Sequence, residues 1–524
     1  MSTEKSCLPR NPCHRWLIGL FLAGVLLRCW SFQQNTRLYG DVNLFALTAR
    51  QLALYGRLTY PMKYDYTPQA PYLTLESPAS QHPPLWPLFG AVFARLWDTA
   101  DTFLMLKVLA FLIGLCLWIG FLPKPEARPC FSQLLPFGLI AISPWLIDFS
   151  TNGSPYILIT LILIFAEWLW KANLPGRVSL MVSLGAFSAL AILTHANLIL
   201  LPLSFGIKIL SDPRSAQGKK VLHVGIFALA LFICLSPWFI WNVHTFAQWV
   251  HTPSAYYLLE QLRLAFITYE EGRVVWTVQA APMPIILQRY SLLFAKSLWA
   301  GLRQYLAMVT PIGFFFILAG LTPCLEAIKS NAGNHSLKRL FISFSSPMLL
   351  YLLTIAFWAT YKTRFLIPLL PPSYLLIGEG VKVLHQRMKA GAWLLWLGVG
   401  LLGLLTILPY RQQPLNFYYG AETAAHARQY DHMKSLAEQL GHQPRGVVLG
   451  VANSLDGGIE TIYWSKQPFV TGRGIEASLW KQLAIDFQVR YLWGECQQAQ
   501  EIRQVFAASQ LLLSNGFYCV FGLP

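Results

Sequence analysis

Apolar runs close to twenty residues long recur from residue 16 to residue 409, among them "VLHVGIFALALFICLSPWFIW" (221–241) and "AWLLWLGVGLLGLLTIL" (392–408). A helix of about 20 residues reaches across the hydrocarbon core of a bilayer. Inside lipid each backbone N–H and C=O must find its partner within the segment, so runs of this kind are confined to helix. Composition agrees. Of the 524 residues 55% are hydrophobic and only 12% charged, against about a quarter charged in soluble proteins. The expected fold class is mainly α, a polytopic transmembrane helical bundle.

About eleven spans are predicted, near 14–32, 103–122, 133–148, 154–172, 178–194, 197–211, 221–242, 303–326, 340–358, 363–381 and 391–409. The first follows Lys5, Arg10 and Arg15 as a signal peptide would. No small-x-small cleavage site follows "WLIGLFLAGVLL", so it reads as an uncleaved span. With the N-terminus cytoplasmic, inner segments collect Lys124, Arg128, Lys171, Arg177, Lys219, Lys220, Lys338 and Arg339, while the short outer turns hold Lys362 alone. Orientation in a membrane therefore accounts for the net charge of +16, and no nucleic-acid partner is implied. The nine cysteines include no C-x-x-C pair and no Cys/His cluster, and neither a metal nor a cofactor is expected.

This orientation leaves three large pieces outside: 33–102, 243–302 and the tail. The expected organisation is a transmembrane domain over 1–410, with surface helices in its outer loop 33–102, and a small α/β extracytoplasmic domain over 411–524. In the loop, "DVNLFALTARQLALYGRL" starts on Asp41 and nears its end at Gly56, the signature of a helix too short and polar to cross. "PLWPLFGAVFARLW" is a second short helix, juxtamembrane or re-entrant. In the tail, "RGVVLGVAN", "VRYLWGE" and "GFYCVFG" read as buried strands, with helices in "AAHARQYDHMKSLAEQLG" and "QQAQEIRQVFAASQLLL". Cys496 and Cys519 either pair or stay as two buried thiols.

Charged and polar groups cluster at one membrane depth. Arg28 ends the first span, Asp41 follows in the loop, and "SQHPPLWP" (80–87) closes it. The turns "DFSTNGSPY" (148–156) and "LTHAN" (193–197) and the segment "YKTRFLIPLLPP" (361–372) lie at the same level. Charge there is costly unless it meets protein, water or a ligand. A carboxylate among cations suits an acceptor that must lose a proton and a phosphate that must leave. Tyr256, Tyr257 and Trp276 are aromatic candidates for stacking on a sugar.

The series "LLRCWSF…LYGDVNLFALTARQLALYGRLTYP…QHPPLWPLF", followed by "SPWLIDFSTNGSPY", "LTHANLILLPL" and "TRFLIPLLPP", resembles the GT-C glycosyltransferases over about residues 15–410. More narrowly it resembles the protein mannosyltransferase and aminoarabinose transferase group with its bacterial RgtA/B/C/D-type relatives. The resemblance implies transfer of a sugar from a polyprenyl-phosphate donor to an envelope acceptor at the outer face of a bacterial inner membrane. It makes Asp41 the catalytic base. It puts Arg364 and His195 near the donor phosphate, with Lys362, Arg28 and His82 as further substrate-binding candidates. Two departures stand out: Val42 follows Asp41 where many relatives have a second acid, and "NGSPY" replaces an acidic turn, leaving Asp148 as the nearest carboxylate.

Each candidate also has a plainer role. Asp41 serves as a helix cap, Arg28 and Arg364 as headgroup anchors, His195 as a structural histidine and His82 as the start of a rigid Pro-Pro turn. The rival function is a transporter or flippase for lipid-linked glycans. It leaves the structured first loop and the long outer tail unexplained.

Overall fold

The computed structural model describes the chain apart from residues 1–9, 39–40, 61, 64–76, 80–81, 123–130, 172–177, 212–216, 250–257, 260, 271–272, 331–345, 360–361, 389–391, 412–414, 416, 418–422, 452–455 and 472–476. Tyr256 and Tyr257 lie outside the described residues, and so does the side chain of Trp276. The protein is mostly helical with a small sheet near its C-terminus. It divides into two compact units, one of residues 1–36, 107–232 and 296–421, the other of 37–106, 233–295 and 422–524.

Among the described residues four helices are long and apolar enough to cross a membrane: Trp16–Gln34, Thr102–Ile119, Gly218–Phe246 and Trp393–Arg411. Met283–Val309 and Pro311–Pro323 meet the same test together, bent by 94°. The break falls at Thr310, whose φ of 64° no helix accommodates. Two predicted spans are interrupted for reasons of local chemistry. The run 133–148 splits into Phe131–Ile142 and Pro144–Phe149, because Pro144 has no N–H to continue the first helix and Ser143 caps the second by accepting from the Leu146 N–H. The run 363–381 becomes Thr363–Leu366, a tight turn at Ile367–Leu369 and Leu370–Arg387, with Pro368 at the joint.

In the first unit, Pro311–Ser330 packs on Leu370–Arg387 at glycines. A Cβ on Gly320 would meet the Leu376 carbonyl, and one on Gly380 the Phe316 carbonyl. This close approach requires that both positions carry no side chain.

In the second unit, the predicted surface helix forms at Asp41–Tyr55 and ends at Gly56 with φ 68°. It buries Val42, Leu44, Phe45, Ala46, Leu47 and Ala49. The second short helix forms at Leu85–Leu96; its Gly90 lies against Ala49 and Leu106. Arg95 donates to the Leu52 and Ala53 carbonyls, closing the end of the surface helix.

β1 (Thr59–Tyr60) pairs antiparallel with β3 (Ser77–Pro78), and β4 (Ala265–Glu270) with β5 (Arg273–Val278). β2 (Met62–Lys63) joins a six-stranded sheet with β6 (Val447–Gly450), β7 (Phe469–Thr471), β8 (Val489–Glu495), β9 (Gln510–Ser514) and β10 (Tyr518–Gly522). The order is β2-β7-β6-β8-β10-β9; the first four are parallel, and β10 runs antiparallel to both of its neighbours, β8 and β9. Residues 510–514, expected to be helical, are strand β9. The Asn515-Gly516 turn, with φ 85° at the glycine, folds them back on β10, and the helix stops at Val505. Leu449, Leu492, Phe521, Trp480 and Ile502 form the core of this α/β fold, and Cys496 and Cys519 are joined by a disulfide at its margin.

Candidate active site

Asp41 is the first residue of its helix, so its carboxylate sits at the positive end of the aligned peptide dipoles. Its side chain is 21% exposed, enough to be reached. The Nε2 of His82 stands 3.7 Å from its Oδ1, and the Phe45 ring packs on the imidazole with centroids 4.6 Å apart. Phe45 is one helical turn beyond Asp41, so the helix that presents the acid also holds the histidine's ring. Neither amide atom of Asn43, fully buried in the same turn, has a hydrogen-bond partner among the described residues. A buried amide left in that state is costly and uncommon outside functional places.

In the first unit, Arg364 is buried and donates from Nε to the Tyr156 hydroxyl at 3.1 Å. Tyr156 stands beside His195 (centroids 5.6 Å), and Phe365 packs against both rings. His195 accepts the Asn197 N–H at Nδ1, which fixes its ring at the start of a short turn. Lys362 precedes the helix that carries Arg364. Asn152 Nδ2, Ser154 Oγ and Thr363 Oγ1 are buried on the neighbouring turns without a partner among the described residues. The unit thus brings Arg364 and His195 together around Tyr156, a residue the sequence reading passed over although Pro155-Tyr156 opens a helix.

Arg28 is placed differently. It is 1% exposed, donates to the carbonyls of Gly24, Ala141 and Ile140, and lies over the Trp118 ring at 4.9 Å. Its guanidinium ties the first helix to Phe131–Ile142. Asp148 is also fully enclosed. One oxygen accepts from Asn35 Nδ2 at 3.0 Å, the other from the Phe417 N–H at 2.9 Å.

No protein-family model matches the chain, and no curated protein matches it either. Solved structures do. ArnT from Cupriavidus metallidurans bound to undecaprenyl phosphate superposes with a TM-score of 0.56 at 13% identity, over 97% of each chain. The Archaeoglobus fulgidus oligosaccharyltransferase in the apo form gives 0.52 at 12% identity, over 93% of this chain and 70% of the other. The fold is that of the GT-C glycosyltransferases.

Proposed function

We propose that this protein is a glycosyltransferase of the bacterial inner membrane, moving a sugar from a polyprenyl-phosphate donor to a lipid, glycan or protein acceptor at the outer face. The observation that carries the reading is Asp41: a reachable carboxylate at a helix N-terminus, beside His82, in a chain sharing its fold with ArnT along 97% of its length. In this reading Asp41 takes the proton of the acceptor O–H or N–H as the acceptor's lone pair attacks the anomeric carbon. The bond from that carbon to the phosphate oxygen breaks, its electrons leave with the polyprenyl phosphate, and attack from the opposite side inverts the centre. Arg364 keeps its Nε on Tyr156 and offers its remaining N–H groups to the departing phosphate, with Lys362 and His195 adding positive or donor character. His82 adjoins the base. Arg28 acts as a strut between helices, as its carbonyl contacts suggest.

The reading includes eleven spans with a cytoplasmic N-terminus, a transmembrane domain over 1–410 and an outer domain over 411–524. The Cys496–Cys519 bond supports an outer tail, since disulfides persist in oxidising compartments.

The test is reconstitution with labelled polyprenyl-phosphate sugars and membrane acceptors. Wild type releases polyprenyl phosphate, and Asp41→Asn lowers the rate by at least about 100-fold, the scale of a general base. Release untouched by that change removes Asp41 from catalysis. Movement of intact donor between leaflets, with no release, identifies a flippase instead.

A further inference from the structure

Within the second unit the first loop and the tail are fastened side chain to side chain, although the chain separates them by 394 residues at the first contact. Arg37, four positions before Asp41, donates from Nε and Nη2 to both carboxylate oxygens of Asp431, at 2.9 and 2.6 Å. The next N–H, that of Leu38, donates to the Tyr430 hydroxyl at 2.8 Å, and Trp464 Nε1 donates to the same oxygen. Arg37 and Leu38 are both buried. The approach to the surface helix is therefore held by one tail helix, Thr423–Gly441.

Farther along, a second tail helix, Asp456–Ser465, holds the middle. Arg50 donates to the Tyr463 carbonyl at 3.1 Å and lies over its ring at 3.8 Å. The Tyr463 hydroxyl donates to Asp101 at 3.0 Å and accepts the Phe103 N–H, while Thr102 between them donates to the Ala46 carbonyl of the surface helix. Burial pushes the Tyr463 hydroxyl above its ordinary pKa, and neighbouring Asp101 adds to this while Arg50 opposes it, so it remains a donor. β2, which follows the helix, is hydrogen-bonded to β7 of the tail.

From this network we infer that the C-terminal α/β domain is the frame that positions Asp41, with Arg37, Tyr430, Asp431 and Tyr463 as positioning residues. The inference rests on the reading of Asp41 as the base. A shift of the helix carries the carboxylate on its first turn with it, and a displacement of about 1 Å costs a reaction about 100-fold. The tail thus acts on the rate through the placement of Asp41.

The experiment uses the full chain in detergent and in liposomes, with Asp431→Arg, Arg37→Asp, the double exchange, and Tyr463→Phe. Two quantities are read: the rate of polyprenyl phosphate release against donor concentration, and amide hydrogen exchange over 41–55 in the resting protein. Asp431→Arg is expected to lower kcat about tenfold or more with donor KM within about twofold, and to speed exchange of the surface helix about tenfold. The double exchange restores both in large part, and Tyr463→Phe, which keeps the ring under Arg50, gives a smaller shift of the same kind. Unchanged exchange and kcat in Asp431→Arg and Tyr463→Phe overturn the inference. So does equal acceleration in β6 and β8, which marks a tail that has merely unfolded. A wild type without transfer defeats the base reading and with it the catalytic half of the inference, whereas the exchange arm judges the frame by itself.

Discussion

His82 Nε2 faces Asp41 Oδ1 at 3.7 Å, with Phe45 packed on the imidazole. The two are 41 positions apart in sequence, and "QHPPLWP" reads locally as a turn. The structure makes its histidine a neighbour of the acid.

His82→Phe keeps an aromatic ring against Phe45 and removes both ring nitrogens. Transfer is expected to slow about tenfold, less than for loss of the carboxylate itself, because the base remains while its polar neighbour does not. Thermal stability should stay within about 1 kcal/mol of wild type, since the pair is loose at 3.7 Å and the new ring keeps the packing on Phe45. A variant with full activity removes His82 from the chemistry.

The second prediction separates charge from shape at Arg364. Arg364→Lys keeps the positive charge but loses the planar fork and the Nε contact with Tyr156. Donor KM should rise about tenfold, the scale of one lost charge-assisted contact. Tyr156→Phe leaves the guanidinium intact but unsteadied, and is expected to raise donor KM about threefold. Measured donor titrations that leave both variants at wild-type KM exclude this pair from the phosphate.

A third prediction concerns stability. Asp148 joins Asn35 at the end of the first helix to Phe417 beyond the last apolar helix, where Trp145 also packs on Phe417 at 3.9 Å between centroids. Asp148→Ala strands two buried donors, each costing about 1–3 kcal/mol. Asp148→Asn keeps one oxygen and turns an NH2 toward a second donor, so it also destabilises, by less. Thermal unfolding in detergent should rank wild type above the asparagine variant and the alanine variant last. A stable alanine variant means that these bonds hold nothing together.

Much of the fold was legible because it follows from local pattern. Apolar runs gave helices, Asp41 and Gly56 bracketed the surface helix, and three quoted strands became β6, β8 and β10. What stayed hidden was either a local break or a distant partnership. Ser143-Pro144 and Ile367-Pro368 interrupt runs whose hydropathy is unbroken. β2 and β7 are two and three residues long and exist as strands through pairing with each other and with β6. Residues 510–514 have a helix-compatible composition, and the turn after them decides for strand. At the candidate site the motif order named Asp41, Arg364 and His195. The Tyr156 contact, the enclosure of Arg28 and the Asp148–Phe417 bond join residues whose sequence separation exceeds any pattern window.

The last prediction asks which side of the membrane the tail occupies. Cys496 and Cys519 form a disulfide that ties the turn after β8 to β10. In a variant whose other cysteines are serine, a membrane-impermeant maleimide added to intact spheroplasts should label nothing. After a brief reductant pulse it should label both positions without lysis, since the thiols then face the outer solution. Labelling that requires lysis places the tail in the cytoplasm and overturns the proposed topology. Replacing both cysteines by serine should also lower tail stability by about 2–4 kcal/mol, the range for cross-links of this kind. Reduced thiols in protein isolated under non-reducing conditions argue for a reducing compartment, and then the catalytic face assigned here lies on the wrong side of the membrane.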